Sequence, residues 1–182
     1  MKKVIGSKEF NGILEKMSLE FFRENKKAGK KAGASPCIVG IQTRGVFLGR
    51  RIAELLKQKY RMNVLVGSLD ITLYRDDVGE IGKQPLVKET NIPFEVEGKT
   101  ILLVDDVLYT GRTIRAALDA LLELGRPRLI RLAAVVDREG RELPIQADYC
   151  GMKMKVGARE EVQLKVREAD GEDGVWVVKR KG

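Results

Sequence analysis

Two acids and, four residues further on, a hydroxyl-glycine-hydroxyl turn carry the chemistry this sequence can do: Asp105-Asp106, then Thr110-Gly111-Arg112-Thr113. A glycine at a helix start lets the chain curl so that unpaired backbone N–H groups converge on one anion, and the positive end of the helix dipole favours negative charge there. Thr110 and Thr113 would add hydroxyl donors. The guest suited to such a turn is a phosphate monoester. Asp105 and Asp106 would repel that phosphate, but as charged acceptors they suit sugar hydroxyls or a hydrated Mg²⁺. A phosphorylated ribose satisfies both halves. The same residues also fit a plainer role, because acidic pairs commonly follow hydrophobic strands and Asp can serve simply as a helix N-cap.

The elements that must position these groups are legible around them. Ile101-Leu102-Leu103-Val104 reads as a strand buried on both faces, with the acids at its carboxyl end and a loop beginning at Asp105. From Thr113 onward Ile114, Ala117, Leu118, Leu121 and Leu122 recur at three and four, so a helix follows, closed by Gly125 and Pro127. Upstream, residues 8–24 suit an amphipathic helix capped by Ser7, Cys37–Ile41 a second buried strand, and Val46–Tyr60 another helix. The loop between them, Gln42-Thr43-Arg44-Gly45, is either a second anion site or an ordinary turn with an exposed arginine. Val64–Ile71 is a third strand, followed by a long irregular stretch over 72–93 of the kind found in active-site lids or disordered segments. Leu129–Val136 is a further buried strand that ends in Asp137-Arg138, at the edge where open α/β sheets bind ligands. Ala147–Cys150, Val162–Val166 and Val175–Val178 read as short strands of an antiparallel extension, with a hairpin turn around Glu172-Asp173. The expected fold class is α/β: a Rossmann-like, mostly parallel sheet flanked by helices in a single domain spanning residues 1–182.

Composition narrows the chemistry. The chain has no histidine, which excludes Ser-His-Asp triads, Cys-His pairs and histidine general bases. Cys37 and Cys150 match no zinc or redox spacing and read as reduced core residues. No signal-peptide pattern follows Met1, and no apolar run reaches the roughly twenty residues of a membrane span, so a cytoplasmic protein is expected. Nearly all of the net charge of +8 falls in two segments, Arg23–Lys31 and Lys179–Lys181. Such clusters attract RNA or simply solubilise a loop and a tail; no aromatic residues interleave the charges, and the second reading is preferred.

The thirteen residues Ile101–Thr113 resemble the phosphoribosyl-pyrophosphate (PRPP) signature of type I phosphoribosyltransferases. In the form V-D-D-V-L-Y-T-G-R-T they are similar to the PyrR family of pyrimidine-operon attenuators and uracil phosphoribosyltransferases. The likeness runs from about Val39 to Tyr149 through T-R-G, D-I-T-L-Y-R-D-D, P-L-V-K, I-P-F, L-G-R-P and V-D-R-x-x-R-E-L-P-I-x-A-D. It implies a small hood over about 137–150 and a flexible lid over about 72–93. It implies that Val107, Leu108, Tyr109, Thr110, Gly111, Arg112 and Thr113 hold the 5′-phosphate of PRPP, and that Thr43, Arg44 and Gly45 grip the leaving pyrophosphate. Asp105 and Asp106 are implied at the ribose, with Arg75, Asp137 and Arg138 around the pyrophosphate and its metal-bound water. Mg²⁺ would arrive with PRPP, without direct protein ligands. The implied reaction is uracil plus PRPP giving UMP and pyrophosphate in a homo-oligomer, with UMP or UTP regulating binding to pyrimidine-operon mRNA.

The departures fall on the RNA half of that resemblance. Gly140, Gln146 and Met152 stand where the family typically has a histidine, an arginine and a lysine, and the opening helix offers Glu15, Lys16 and Leu19 where a threonine, an arginine and a histidine usually face RNA. Arg141 is retained, and Lys16, Lys26 and Lys27 are the remaining RNA candidates. Two other readings stay open: an RNA-binding regulator with little catalysis, and a phosphoribosyltransferase for another base.

Overall fold

The computed structural model describes residues 1–28, 36–76 and 89–180. Along the chain lie β1 (Lys2–Ile5), α1 (Ser7–Ala28), β2 (Cys37–Ile41), α2 (Arg44–Tyr60), β3 (Leu65–Leu69), a single 3-10 turn (Thr72–Tyr74), β4 (Thr100–Leu108) and α3 (Arg112–Glu123). They are followed by β5 (Leu129–Arg138), β6 (Tyr149–Met154), β7 (Glu160–Lys165), the one-turn α4 (Arg167–Asp170) and β8 (Gly174–Lys179). Five strands form an all-parallel sheet in the order β3-β2-β4-β5-β6. The α/β expectation holds.

Both faces of this sheet are covered, which is why its central strands are aliphatic throughout. Alternation along β4 sends Leu102 and Val104 to one face, against Phe10, Leu14, Met17 and Phe21 of α1 and Leu48, Ile52 and Leu56 of α2. Ile101 and Leu103 point to the other, against Ile114, Ala117 and Leu121 of α3. Burial of this kind contributes roughly 1.5–3 kcal/mol per large side chain and fixes each helix in azimuth.

A second, antiparallel sheet, β1-β8-β7, joins the two ends of the chain and seals the α1/α2 face through Ile5, Val162, Leu164 and Val175. Four expectations change here. The piece at Ala147–Cys150 leads into β6 (Tyr149–Met154), an edge strand of the main sheet parallel to β5, and not into the antiparallel extension. β7 and β8 are joined through α4 and the left-handed Gly171, a longer connection than a tight hairpin. Ser7 does not cap α1: it is the first helical residue, and its hydroxyl donates to the Asp173 carbonyl. β4 runs on to Leu108 because β5 extends equally far, pairing Asp105 with Ala134 and Leu108 with Asp137, so the two acids are strand residues. Among the described residues no helix is long and apolar enough to cross a membrane.

Candidate active site

Asp105 and Asp106 lie near the carboxyl end of β4, at the centre of the main sheet. Asp105 is only 5% exposed and accepts the amide of Asp106 at 2.9 Å. Burial pushes its carboxyl well above the ordinary carboxylate range; the charge of Asp106 adds to this, and the Asp106 amide and Arg75 oppose it. Asp106 is half-buried and accepts the amide of Val107 at 2.9 Å, which ties the acid pair to the first residue of the following loop. Each acid has a cation from a different loop within electrostatic reach, Arg75 for Asp105 and Arg44 for Asp106.

A cavity of about 690 Å³ opens beyond the acids, lined by every residue from Val107 to Ile114 together with Arg75 and Asp76. Leu108 fills the core while bordering the cavity, and Val107 packs against the core beside it. Gly111 caps α3 with φ 95°, a left-handed conformation in which a side chain would be strained. The helix has no acidic residue in its first turn and no side-chain bond from its cap, so its dipole, and its first-turn amides beyond that of Arg112, can serve an external anion. Thr110 turns its hydroxyl inward along the loop to accept the Arg112 amide at 3.3 Å.

The segment expected as a hood lies across this loop. The amides of Glu142 and Leu143 donate to the Thr110 carbonyl at 2.9 and 3.0 Å, and the Leu143 side chain packs beside Gly111. Arg141, expected at RNA, acts as a strut: its guanidinium donates to the Tyr109 carbonyl and to the Asp137 carboxylate. Asp137 is thereby engaged by Arg141, four residues along the chain. Arg112 points across the rim and pairs with Glu142 at 2.7 Å and Asp76 at 2.5 Å. Arg138, expected at pyrophosphate, is 5% exposed; it stacks 3.9 Å over the Tyr109 ring and donates to the Glu160 carbonyl at 2.9 Å. Its place is behind the loop, where it joins the main sheet to the start of β7.

The loop after β2 has a different construction. Gly45 lies against β4 so closely that a Cβ there would stand 2.4 Å from the Val104 carbonyl oxygen, which makes glycine necessary for the approach of α2. Thr43 is the N-cap of α2 without a side-chain cap bond. Arg44 forms a two-pronged pair with Asp170 of α4, Nε to Oδ2 at 2.9 Å and Nη2 to Oδ1 at 2.7 Å. Sequence reasoning missed Asp170, reading the acidic turn Glu168–Gly174 as a connection between strands with no chemistry. It also missed Glu161 and Arg180, which bring β7 and the residue after β8 to the cavity wall; by sequence Arg180 belongs with the solubilising tail. The signal was their charge, but nothing local said which way that charge would face.

The remaining RNA candidates lie on α1. Lys16 sits 4.0 Å from Glu20, Lys26 stands over the Phe22 ring at 5.9 Å, and Lys27 is exposed. Lys30, Lys31 and Lys181 of the basic clusters, residues 77–88 of the expected lid and with them the P-L-V-K motif lie outside the described residues. Among the described residues no group of three or more acids or cysteines could hold a metal; the adjacent carboxylates at the strand end are a pair, Asp105-Asp106. That donor set suits an ion that brings most of its own ligands as water and phosphate oxygens, as Mg²⁺ does.

Comparison with known proteins gives the family and the fold. The phosphoribosyl transferase domain matches residues 13–165. The chain is 50% identical over 180 residues to a bifunctional protein PyrR of Thermus thermophilus, covering 99% of this chain and 97% of the relative. It is 48% identical to one of Elusimicrobium minutum over 98% of this chain and 97% of that one. Among solved structures, a mutant hypoxanthine phosphoribosyltransferase from Trypanosoma cruzi, in a ternary substrates complex, superposes with a TM-score of 0.74 at 18% identity, covering 99% of this chain and 95% of that chain. Another structure of the T. cruzi enzyme gives a TM-score of 0.72 at 15% identity, over 100% of this chain and 98% of that chain. These two likenesses carry the fold, and the closer sequence matches carry the family. The chain belongs to the phosphoribosyl transferase family, and within it stands with the PyrR proteins.

Proposed function

We propose that this protein is a uracil phosphoribosyltransferase of the PyrR type, joining uracil to PRPP to give UMP and pyrophosphate, and that it also binds pyrimidine-operon mRNA under control of uridine nucleotides. The observation that carries the reading is the loop Thr110–Thr113, an uncapped helix N-terminus walling a 690 Å³ cavity directly after two adjacent carboxylates. Its relatives' description as bifunctional supports the pairing of a catalytic and a regulatory role.

In this reading the 5′-phosphate is received by the amides and hydroxyls of residues 110–113, which fixes the ribose over the end of β4. Glycosyl cleavage gathers positive charge on the ribose and negative charge on the departing pyrophosphate. Asp106, the less buried acid, takes the ribose hydroxyls and offsets the first; Asp105 is held behind it and supports its backbone. Arg44 and Arg75 face the second from the two neighbouring loops. Arg138 contributes by bracing Tyr109, and Asp137 by holding Arg141 against the same residue. Mg²⁺ carried by PRPP would supply additional positive charge to the leaving group, with Asp105 and Asp106 as the carboxylates suited to its hydration shell. No histidine base is needed if the uracil proton passes to solvent.

One assay tests the activity: product formation from PRPP and Mg²⁺ with uracil, hypoxanthine, guanine, adenine and orotate in parallel. UMP alone is the expected product, and preferential turnover of a purine would overturn the base assignment. The regulatory half predicts retention of a pyrimidine-operon leader RNA that strengthens with UMP and falls steeply with salt. No retention at low salt would remove it.

A further inference from the structure

We propose that Asp170 is a positioning residue for Arg44, so that the second sheet sets the geometry of the anion loop after β2 through a single carboxylate. The inference rests on the reading that this loop receives pyrophosphate, and deepens it by naming what holds the loop's arginine. Three observations carry it. Asp170 takes one edge of the guanidinium, Nε and Nη2, which leaves the Nη1 edge facing away from the carboxylate. Asp170 is itself fixed, because its Oδ2 also accepts the Val166 amide at 2.9 Å and Gly171 ends the turn beside it. The connection that bears it is anchored a second time to α2, by Arg51 bonding Glu168 at 2.6 Å and Asp173 at 2.8 Å.

Arg44 and Arg51 are seven residues apart on α2, two helical turns along one face, so both grip the same connection. Arg44 stands between Asp170 and the field of Asp106, and its charged form is favoured first by the Asp170 hydrogen bond. A long side chain that would otherwise sample many rotamers is therefore already ordered when pyrophosphate arrives. Preorganisation of this kind lowers the cost of binding without adding any contact to the ligand.

The test is the dissociation constant of magnesium pyrophosphate, measured by titration calorimetry on the full chain in Asp170→Asn, Arg44→Ala and the double variant. Asp170→Asn is expected to weaken binding about 5- to 10-fold, the scale of ordering one long side chain. Arg44→Ala should weaken it further, and the double variant should be no worse than Arg44→Ala alone, because Asp170 acts only through Arg44. Arg51→Ala, which loosens the connection that bears Asp170 but leaves the Arg44–Asp170 pair in place, should weaken binding less than Asp170→Asn. Asp170→Glu keeps the charge and moves it by one methylene, and reads the same loss of orientation if the Asn variant does not fold. Equal or tighter binding in Asp170→Asn, losses that multiply in the double variant, or a matching loss in Arg51→Ala would overturn the positioning role. Binding indifferent to Arg44→Ala would overturn the role given to the loop itself, and this inference with it.

Discussion

Two strand-to-helix loops meet at one edge of the main sheet, and they are held in opposite ways. The loop after β4 is built from its own backbone: Gly111 turns it, the α3 dipole charges it, and the segment above it fastens to the Thr110 carbonyl through two further amides. Its arginine, Arg112, is engaged at the rim. The loop after β2 depends on a side chain, Arg44, and that side chain depends on Asp170, 126 positions away. Both helices start without acidic residues or side-chain cap bonds, so the difference does not lie in the helix ends. A backbone site can be specified by a dozen adjacent residues; a side-chain site at the same edge needs the whole fold to hold it.

The contrast can be strained at four points. The largest effect is expected at the acid shared by both loops: Asp106→Asn should lower kcat/KM for transfer by about 10²-fold or more, the scale of one preorganised electrostatic contact. Unchanged steady-state turnover would remove Asp106 from the ribose. Next, Gly45→Ala drives a methyl into the Val104 carbonyl and should lower unfolding free energy by about 1–3 kcal/mol in urea titrations. A neutral result would mean that α2 does not rest on β4 as closely as described.

Arg141→Ala tests whether the β4 loop is held from outside as well as from within. It should raise KM for PRPP about three- to tenfold, in keeping with the loss of roughly 1 kcal/mol of hydrogen bonding to Tyr109 and Asp137. Normal PRPP kinetics with weakened RNA binding would return Arg141 to an RNA role. The smallest effect belongs to Asp105, whose folded proton affinity lies above its unfolded value. Such a group stabilises the fold at low pH and ceases to do so as pH rises through the folded value. Asp105→Asn should therefore raise Tm by about 2–4 °C at pH 7, with the gain shrinking towards the ordinary carboxylate range. A gain that grew on acidification would reverse the sign and contradict the burial argument.

Legibility in the sequence followed the same division. The central strand, its acids and the Thr110–Thr113 turn were readable because period, glycine and hydroxyl placement are local facts. The length of β4 was not, because its last four residues are strand only where β5 runs beside them. β1 went unread: four residues with two lysines carry no strand pattern until β8 supplies the partner. Arg138 and Arg141 were given ligand roles by the family resemblance, which carries no information on packing; here Tyr109 covers one and engages the other through its carbonyl. Asp170 could not be found at all, since an acid in a Gly-flanked turn looks the same whether it faces water or an arginine.

The most direct measurement is a crystal structure of the protein with UMP. The phosphate is expected within hydrogen-bonding distance of the amides and hydroxyls of residues 110–113, with the ribose hydroxyls turned to Asp106. A nucleotide bound with its phosphate elsewhere, and that loop empty, would contradict the account.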